Sequence, residues 1–142
     1  MDKVVKKVVG IIFIKNGKLL IVQSLRSKTT DCWTLVGGGV EEGESLIAAA
    51  IREVCEEIQE DFFIEENDLS PIMCFKECAA SDPNLIIEMN VFICHKEIDV
   101  ALIPNEEILK FHWFKVGEVD YNLSSSIRDH FIPYAIEKGL LY

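Results

Sequence analysis

The sequence predicts a mixed α/β fold in which helices pack on a mixed β-sheet. Apolar runs of strand length, an Asn-Gly turn between the first two, and two separated helical segments together predict this class. In 142 residues these elements are expected to form a single domain, residues 1–142. No internal repeat, low-complexity tract or linker interrupts the pattern.

The predicted fold opens with a β-hairpin. The run VVGIIFIKNGKLLIVQS contains two apolar, β-branched segments joined at Asn16-Gly17, a pair that tolerates positive φ. The polar segment from Ser24 to Asp31 predicts a loop. Cys32 to Val36 then predicts a short strand that leads into three glycines, Gly37–Gly39.

The glycines are followed by a predicted helix from Ser45 to Ile58. Glu41, Glu42 and Glu44 cluster ahead of its first turn, where the positive end of the helix dipole favours acidic side chains. This helix is the longest periodic segment of the chain and the main source of functional hypotheses.

The second half of the chain predicts more strands and a final helix. A turn is expected at Ser81-Asp82-Pro83-Asn84. The last helix is expected to begin near Ser124, to kink or break at Pro133 and to end at Gly139. The expected strands are Pro71 to Ala80, Leu85 to Lys96 and His112 to Val116.

The charge balance argues against duplex nucleic acid as a partner. The formal net charge is −10, from 24 acidic and 14 basic residues, and no basic cluster follows Lys3, Lys6 and Lys7. Binding to a duplex needs many basic contacts to phosphate. A small anionic ligand remains compatible with this charge if a metal ion or backbone amides screen it.

Cysteine usage and hydropathy predict a cytoplasmic protein. The five cysteines are odd in number and include no C-x-x-C pair, which favours buried thiols in a reducing compartment. The apolar run from Val8 to Ile14 is ended by Lys15 and lacks a cleavage site, and no segment approaches the roughly 20 apolar residues of a membrane span. No membrane association is expected.

The helix from Ser45 to Ile58 has two different faces. Glu53, Glu56 and Glu57 have i, i+3, i+4 spacing, so their side chains converge on one side, where like charges repel. Two interpretations remain open, a solvated acidic face and a site for a hard divalent cation. The neighbouring arc is apolar and suits packing on a sheet; it contains Ile47, Ala50, Ile51, Val54 and Ile58.

Arg52 and the three glycines favour the cation site. The Arg52 guanidinium lies beside the acidic arc and can hold a carboxylate by two hydrogen bonds, although a surface ion pair is the simpler interpretation. Gly37, Gly38 and Gly39 allow the backbone to approach a ligand closely, although a plain tight turn needs the same residues.

Together these residues form the pattern G-x5-E-x7-R-E-U-x-E-E. Gly38, Glu44, Arg52, Glu53, Val54, Glu56 and Glu57 occupy its positions. With this chain's residue usage, the pattern arises by chance on the order of once in 10⁵ such chains. It resembles the motif of the Nudix hydrolases, and the preceding segment DCWTLVGGGVEEGES is similar to the approach to that motif.

The resemblance implies a fold, a reaction and a cofactor. The implied fold is a Nudix-type α/β/α sandwich on a mixed β-sheet, and the reaction is water attack on a phosphorus of a nucleoside diphosphate derivative with Mg²⁺ or Mn²⁺. The resemblance gives Arg52 an orienting role and Glu44 a supporting one, and it makes Gly37–Gly39 a substrate-binding segment. The implied metal ligands are Glu53, Glu56, Glu57 and a carbonyl at Gly37 or Gly38.

The group that takes the proton from water stays open among Glu53, Glu57 and Glu107. Glu107 precedes the Trp113-Phe114 pair in the segment PNEEILKFHW, where a solvated loop is the simpler interpretation. The chain departs from the pattern at Gln59, where the family has a glycine that can adopt a left-handed helix cap. Glu60 and Val36 are lesser departures, at positions where an apolar residue and a proline are usual.

The leading hypothesis is a Mg²⁺-dependent hydrolase of a small nucleotide substrate. The candidate substrates are a nucleoside triphosphate, including an oxidised one such as 8-oxo-dGTP, and an ADP-ribose-like compound. The alternatives are a catalytically silent nucleotide sensor of the same fold and a non-catalytic interaction domain.

The segments Ser24–Asp31, Glu88–Asn90 and Tyr121–Arg128 are expected to set specificity. The oligomeric state is open, and a homodimer is compatible with the sequence. Aromatic residues that could stack on a base, although each suits a core, are Trp33, Phe75, Phe92, Tyr121 and Phe131.

Overall fold

The computed structural model describes residues 4–25, 31–59, 61–79 and 82–142. Its helical elements are α1 (Leu46–Glu57), a 3₁₀ turn (Glu66–Asp68), a π-helix (Ser126–Phe131) and α2 (Ile132–Glu137). Its strands are β1 (Val4–Ile12), β2 (Ile14–Lys15), β3 (Lys18–Ser24), β4 (Cys32–Trp33), β5 (Val36–Gly39), β6 (Leu69–Ala79), β7 (Asp82–Cys94), β8 (Ile108–Phe114) and β9 (Asn122–Leu123).

The strands form mixed pairings, as predicted. One sheet has the order β5-β1-β7-β6, in which β1 and β7 run parallel while β5 and β6 pair antiparallel with their neighbours. A second sheet has the order β2-β3-β8, and β4 pairs with β9 in parallel. Within the first sheet β5 lies at an edge, which leaves its glycines open on one side.

The predicted hairpin is present at Asn16-Gly17. These residues have φ of 53° and 74°, and β2 pairs antiparallel with β3 through Lys15 and Lys18. Phe13 separates β1 from β2. The first apolar run is therefore shared between the two sheets, because β1 pairs with β5 and β7 while β3 pairs with β8.

Two apolar layers lie on opposite sides of the strands. The first packs under α1 and includes Val9 and Ile11 of β1 together with Ala50 and Val54 of the helix. The second packs against the C-terminal helical segment and includes Ile12, Leu19, Ile21, Ile127, Phe131 and Ala135. Helices on both faces of the strands give the predicted α/β/α arrangement.

Helix α1 has nearly the predicted limits. The Ser45 hydroxyl accepts a hydrogen bond of 3.1 Å from the Ala48 amide and caps the N-terminus. At the other end, the Ile58 amide donates to the Val54 carbonyl at 2.9 Å. Ala49 is more deeply buried than the predicted Ile47, so the core-facing arc is rotated slightly toward it.

The predicted boundaries of β7 and β8 were wrong. Residues 82–84 belong to β7 and not to a turn, because the β6–β7 pairing continues as far as Ala79 and Asp82. Strand β8 begins at Ile108 and not at His112, because its pairing with β3 extends to Ser24.

The C-terminal helix is not α-helical from its start. It begins as a π-helix, and Pro133 lies in the first turn of α2, where its missing N–H is tolerated. Gly139 follows with φ of 69°. Residues 26–30 of the predicted loop, together with Glu60 and Ser81, lie outside the described residues.

Among the described residues, no helix combines the length and apolar character required to cross a membrane.

We predict that Gly37→Ala strongly destabilises the fold. Gly37 has φ of 151°, and a Cβ there would lie 2.0 Å from the Val9 carbonyl oxygen across the β1–β5 pair. We expect the free energy of unfolding in urea to fall by about 2 kcal/mol or more. The control is Gly43→Ala. Gly43 has a positive φ of 77°, but no atom of the described residues lies within 4 Å of a Cβ added there, so a loss of about 1 kcal/mol is expected. Equal losses in both variants would contradict the steric argument.

Candidate active site

An open, acidic cavity of about 650 Å³ lies at the edge of the first sheet, beside β5 and α1. Its basic lining residues are Lys6 and Arg52. Its acidic lining residues are Glu41, Glu53, Glu56, Glu57, Glu106 and Glu107. Every glutamate that the sequence nominated for catalysis or metal binding therefore lies at this cavity.

The glycine strand β5 contacts α1 without any intervening side chain. The Gly37 amide donates to the Glu57 carboxylate at 3.3 and 3.4 Å. A Cβ on Gly38 would lie 2.4 Å from Glu53 Oε1, so only glycine leaves room for that carboxylate. The glycines are thus required for the close approach of backbone to carboxylates.

Glu53 and Glu57 are buried side by side, with only 7% and 5% of their surfaces exposed. Burial raises the pKa of Glu57 well above its usual range, and a hydrogen bond with the Glu53 carboxyl and the charge of Glu53 raise it further. Such burial excludes a solvated acidic face for these two residues. It also means that a cation is needed before both carboxylates can be charged at low cost.

Arg52 is fixed by several hydrogen-bond acceptors. Its Nε and Nη2 donate to the two oxygens of Glu44 at 2.8 and 2.9 Å. Its Nη1 donates to Glu53 at 3.0 Å, and Nη2 also donates to the Gly39 carbonyl at 2.9 Å. Arg52 lowers the pKa of Glu44 to about 2, and the Glu41 amide contributes through a hydrogen bond.

Glu56 lies apart from the buried pair. Its side chain is 46% exposed, and its oxygens are 3.4 Å from Arg52 Nη1. Within the described part of the chain, no three Asp, Glu, His or Cys side chains are grouped closely enough to hold one metal ion. The structure therefore brings together two of the three predicted carboxylate ligands and leaves Glu56 at the rim.

This donor set still fits a hard divalent cation. Mg²⁺ commonly takes one or two protein carboxylates and completes its coordination with water and substrate phosphates. Glu53 and Glu57 offer adjacent oxygens at an open cavity, and their burial disfavours the charged pair unless a cation is near. No sulfur or imidazole ligand lines the cavity among the described residues, so a soft-metal site is not indicated.

Asn105 is a positioning residue that the sequence reasoning missed. Its Nδ2 donates to the Glu57 carbonyl at 2.9 Å, while its Oδ1 accepts from the amides of Glu107 and Ile108 at 2.8 and 2.9 Å. These bonds attach the loop before β8 to the end of α1 and place Glu107 at the cavity. The Pro-Asn pair ahead of an apolar run is a turn signal that would have indicated Asn105.

Gln59 follows the end of α1 without backbone strain. Among the described residues outside glycine, positive φ is confined to Asn16 and Asp31, so Gln59 does not adopt the left-handed cap. Its Nε2 donates to the Ala101 carbonyl at 2.9 Å. Where the family pattern has a glycine that can form a backbone cap, Gln59 instead connects the end of α1 to the loop before β8 through its side chain.

The aromatic candidates lie away from the carboxylates. Trp33, Phe92 and Phe131 are core residues, Phe75 stacks on His130, and Tyr121 stacks on His112. None of the five lines the acidic cavity. Of the predicted specificity segments, the first contributes Ser24 and Leu25 to its lining, whereas residues 88–90 and 121–128 do not line it.

Known proteins resemble this chain over most of its length. A Xenopus laevis protein described as nucleoside diphosphate-linked moiety X motif 6 is 29% identical over 130 residues, covering 89% of this chain and 55% of that protein. The chain therefore spans about half the length of this relative.

Two solved structures show the same fold. A MutT NUDIX hydrolase from Burkholderia pseudomallei has 19% identity, a TM-score of 0.70, and coverage of 94% of this chain and 96% of that one. A MutT protein from Methanosarcina mazei Go1 has 20% identity, a TM-score of 0.72, and coverage of 97% and 98%. These likenesses confirm the predicted fold class.

The family model described as NUDIX domain matches residues 5–135. This range contains strands β1 to β9 in full, apart from Val4 at the start of β1. The match covers the cavity residues from Lys6 to Ile108. With its sequence pattern, its fold and this match in agreement, the chain belongs to the Nudix family.

Proposed function

We propose that this chain is an enzyme that hydrolyses the diphosphate linkage of a nucleoside diphosphate derivative with Mg²⁺ or Mn²⁺. The observation that carries the proposal is the buried Glu53–Glu57 pair, held against the Gly37–Gly38 backbone at the wall of an open cavity. Two buried carboxylates are costly in an isolated protein, and metal binding offsets that cost.

In this proposal, Glu53 and Glu57 would hold the metal together with the Gly37 or Gly38 carbonyl. Glu56 would join them from the rim only after its side chain moves toward the pair. The bound ion would neutralise charge on the phosphate oxygens and lower the pKa of a water molecule. Arg52 fixes the Glu53 carboxylate, and Glu44 fixes Arg52 in turn. This chain of hydrogen bonds limits the positions that Glu53 can adopt before substrate arrives.

The reaction requires one base and one leaving group. The water oxygen bonds to phosphorus, the bond from phosphorus to the bridging oxygen breaks, and the water proton passes to a carboxylate. Glu53, Glu57 and Glu107 are the candidate bases, and all three line the cavity. The charge of Glu107 contributes to the raised pKa of Glu57, which agrees with the two groups facing the same space.

A panel of substrates tests the proposal. The protein is incubated with Mg²⁺ and nucleoside triphosphates, including 8-oxo-dGTP, and with ADP-ribose, dinucleoside polyphosphates and nucleotide sugars, and the release of phosphate products is measured. Turnover of at least one compound is expected. Tight binding without turnover would favour the sensor of the same fold, and absence of both Mg²⁺ binding and turnover would refute both.

We predict that Glu57→Gln abolishes turnover while the fold is kept. Removing a metal-binding or proton-accepting carboxylate should lower kcat by about 100-fold or more. The amide keeps the shape of the side chain, and Glu57 already favours its uncharged form, so the urea midpoint should not fall. The control is Glu97→Gln, which changes an exposed glutamate outside the cavity and should leave kcat unchanged. Comparable kcat values in the two variants would exclude a catalytic role for Glu57.

We predict that the Glu44–Arg52 pair stabilises the protein at neutral pH and is lost in acid. The pKa of Glu44 is lowered from 4.5 to about 2, so the folded state holds the charged form more strongly than the unfolded state does. Its contribution is therefore complete above pH 4.5 and declines as pH falls toward 2. The contribution of the pair to the free energy of unfolding is measured by urea unfolding of wild type and Glu44→Gln between neutral pH and pH 3.

The difference in the free energy of unfolding between wild type and Glu44→Gln should shrink as pH falls. Glu42→Gln is the matched control, since Glu42 is exposed on the same segment and makes no ion pair with Arg52. A difference that stays constant with pH would show that the pair does not stabilise the fold through charge.

A further inference from the structure

Lys6 reaches the cavity from the strand next to the glycines. It lies on β1 two residues before Val8, which pairs with Gly39 of β5. A Cβ on Gly39 would lie 3.2 Å from Lys6 Cε and 3.7 Å from its Nζ. The lysine side chain therefore extends across the space that Gly39 leaves empty, and Lys6 lines the cavity.

Lys6 and the buried carboxylates lie on opposite faces of the sheet edge. Val9 and Ile11 of β1 pack under α1, so the alternate residue Lys6 points to the other face. Gly38, the partner of Val9, is the glycine that contacts Glu53 on the helix side. Because β5 is an edge strand and residues 37–39 have no side chains, the cavity continues around the edge between the two groups.

Within the described part of the chain, the ammonium of Lys6 has no carboxylate partner. Among the described residues, it makes no ion pair within 4.0 Å and no hydrogen bond, whereas Arg52 is occupied by Glu44, Glu53 and the Gly39 carbonyl. Counted over the described residues, six glutamates line the cavity, and Lys6 is its one basic side chain that no described acceptor engages. A lysine held apart from so many carboxylates is available to an anion that enters the cavity.

We propose that Lys6 binds a non-bridging oxygen of the substrate's diphosphate, from the face opposite Glu53 and Glu57. This inference rests on the proposed hydrolase function and names a substrate contact for it. The diphosphate would lie along the glycine strand, with the metal-holding carboxylates on one side and the ammonium on the other. Lysine suits this role as a compact charge that contacts phosphate without fixed geometry.

Three variants test the contact. Lys6→Met keeps the length of the apolar stem and removes the charge, and Lys6→Arg restores a charge. Lys7→Met is the matched control, because Lys7 is also exposed on β1 but does not line the cavity. The probe is methylenediphosphonate, a diphosphate analogue that water does not cleave, measured with Mg²⁺ by calorimetry, with uncharged adenosine as a second probe.

Lys6→Met should bind the analogue about tenfold or more weakly, as expected for a lost charge-assisted hydrogen bond. Lys6→Arg should recover most of the affinity, Lys7→Met should match wild type, and adenosine binding should not change. For the substrate found with the panel, Lys6→Met should raise KM more than it lowers kcat.

Equal affinity of wild type and Lys6→Met for the analogue would overturn the Lys6 contact. If wild type still turns over a compound of the panel, the proposed hydrolase function stands without that contact. If Lys6→Met and Lys7→Met weaken binding equally, the effect is one of overall charge, and the specific contact is also refuted. If wild type neither binds the analogue nor turns over any compound of the panel, the hydrolase and the Lys6 contact fail together.

Discussion

The close contact between the glycine strand and α1 is the constraint on which the rest of the site depends. Because Gly37 and Gly38 have no side chains, the backbone of β5 reaches the carboxylates of Glu57 and Glu53 directly. Any Cβ at Gly38 would displace Glu53. The same contact fixes the helix on the sheet and forms the wall of the cavity. The atoms that pack α1 on β5 are therefore also the atoms that line the candidate site.

Burial of like charges sets the electrostatics of this wall. Glu53 is held by Arg52, but Glu57 has a raised pKa because it is buried beside Glu53. A protein that needed only a stable helix would gain by replacing such a pair with apolar residues. The arrangement is understandable if a cation joins it. Lys6, on the other face of the strand, gives the cavity a positive group that suits the proposed anionic substrate.

The loop before β8 borders the cavity and is held in place by polar tethers. Gln59 and Asn105 connect it to the end of α1, and the Leu25 amide donates to the Glu107 carbonyl at 3.1 Å. Gln59 thus attaches this loop at Ala101, whereas Asn105 accepts directly from the Glu107 amide.

The sequence alone determined the elements whose signals are local: the Asn16-Gly17 turn, the limits of α1 and the glutamates with arginine at helical spacing. Only the tertiary structure decided which of those glutamates meet, because spacing on a helix does not reveal what packs against each side chain. Burial against β5 separates Glu53 and Glu57 from the exposed Glu56. Lys6 and Asn105 reach the site through strand pairing and loop tethers between residues far apart in the chain. The Pro-Asn pair indicates a turn at Asn105, but it does not reveal that the turn bonds to the end of α1.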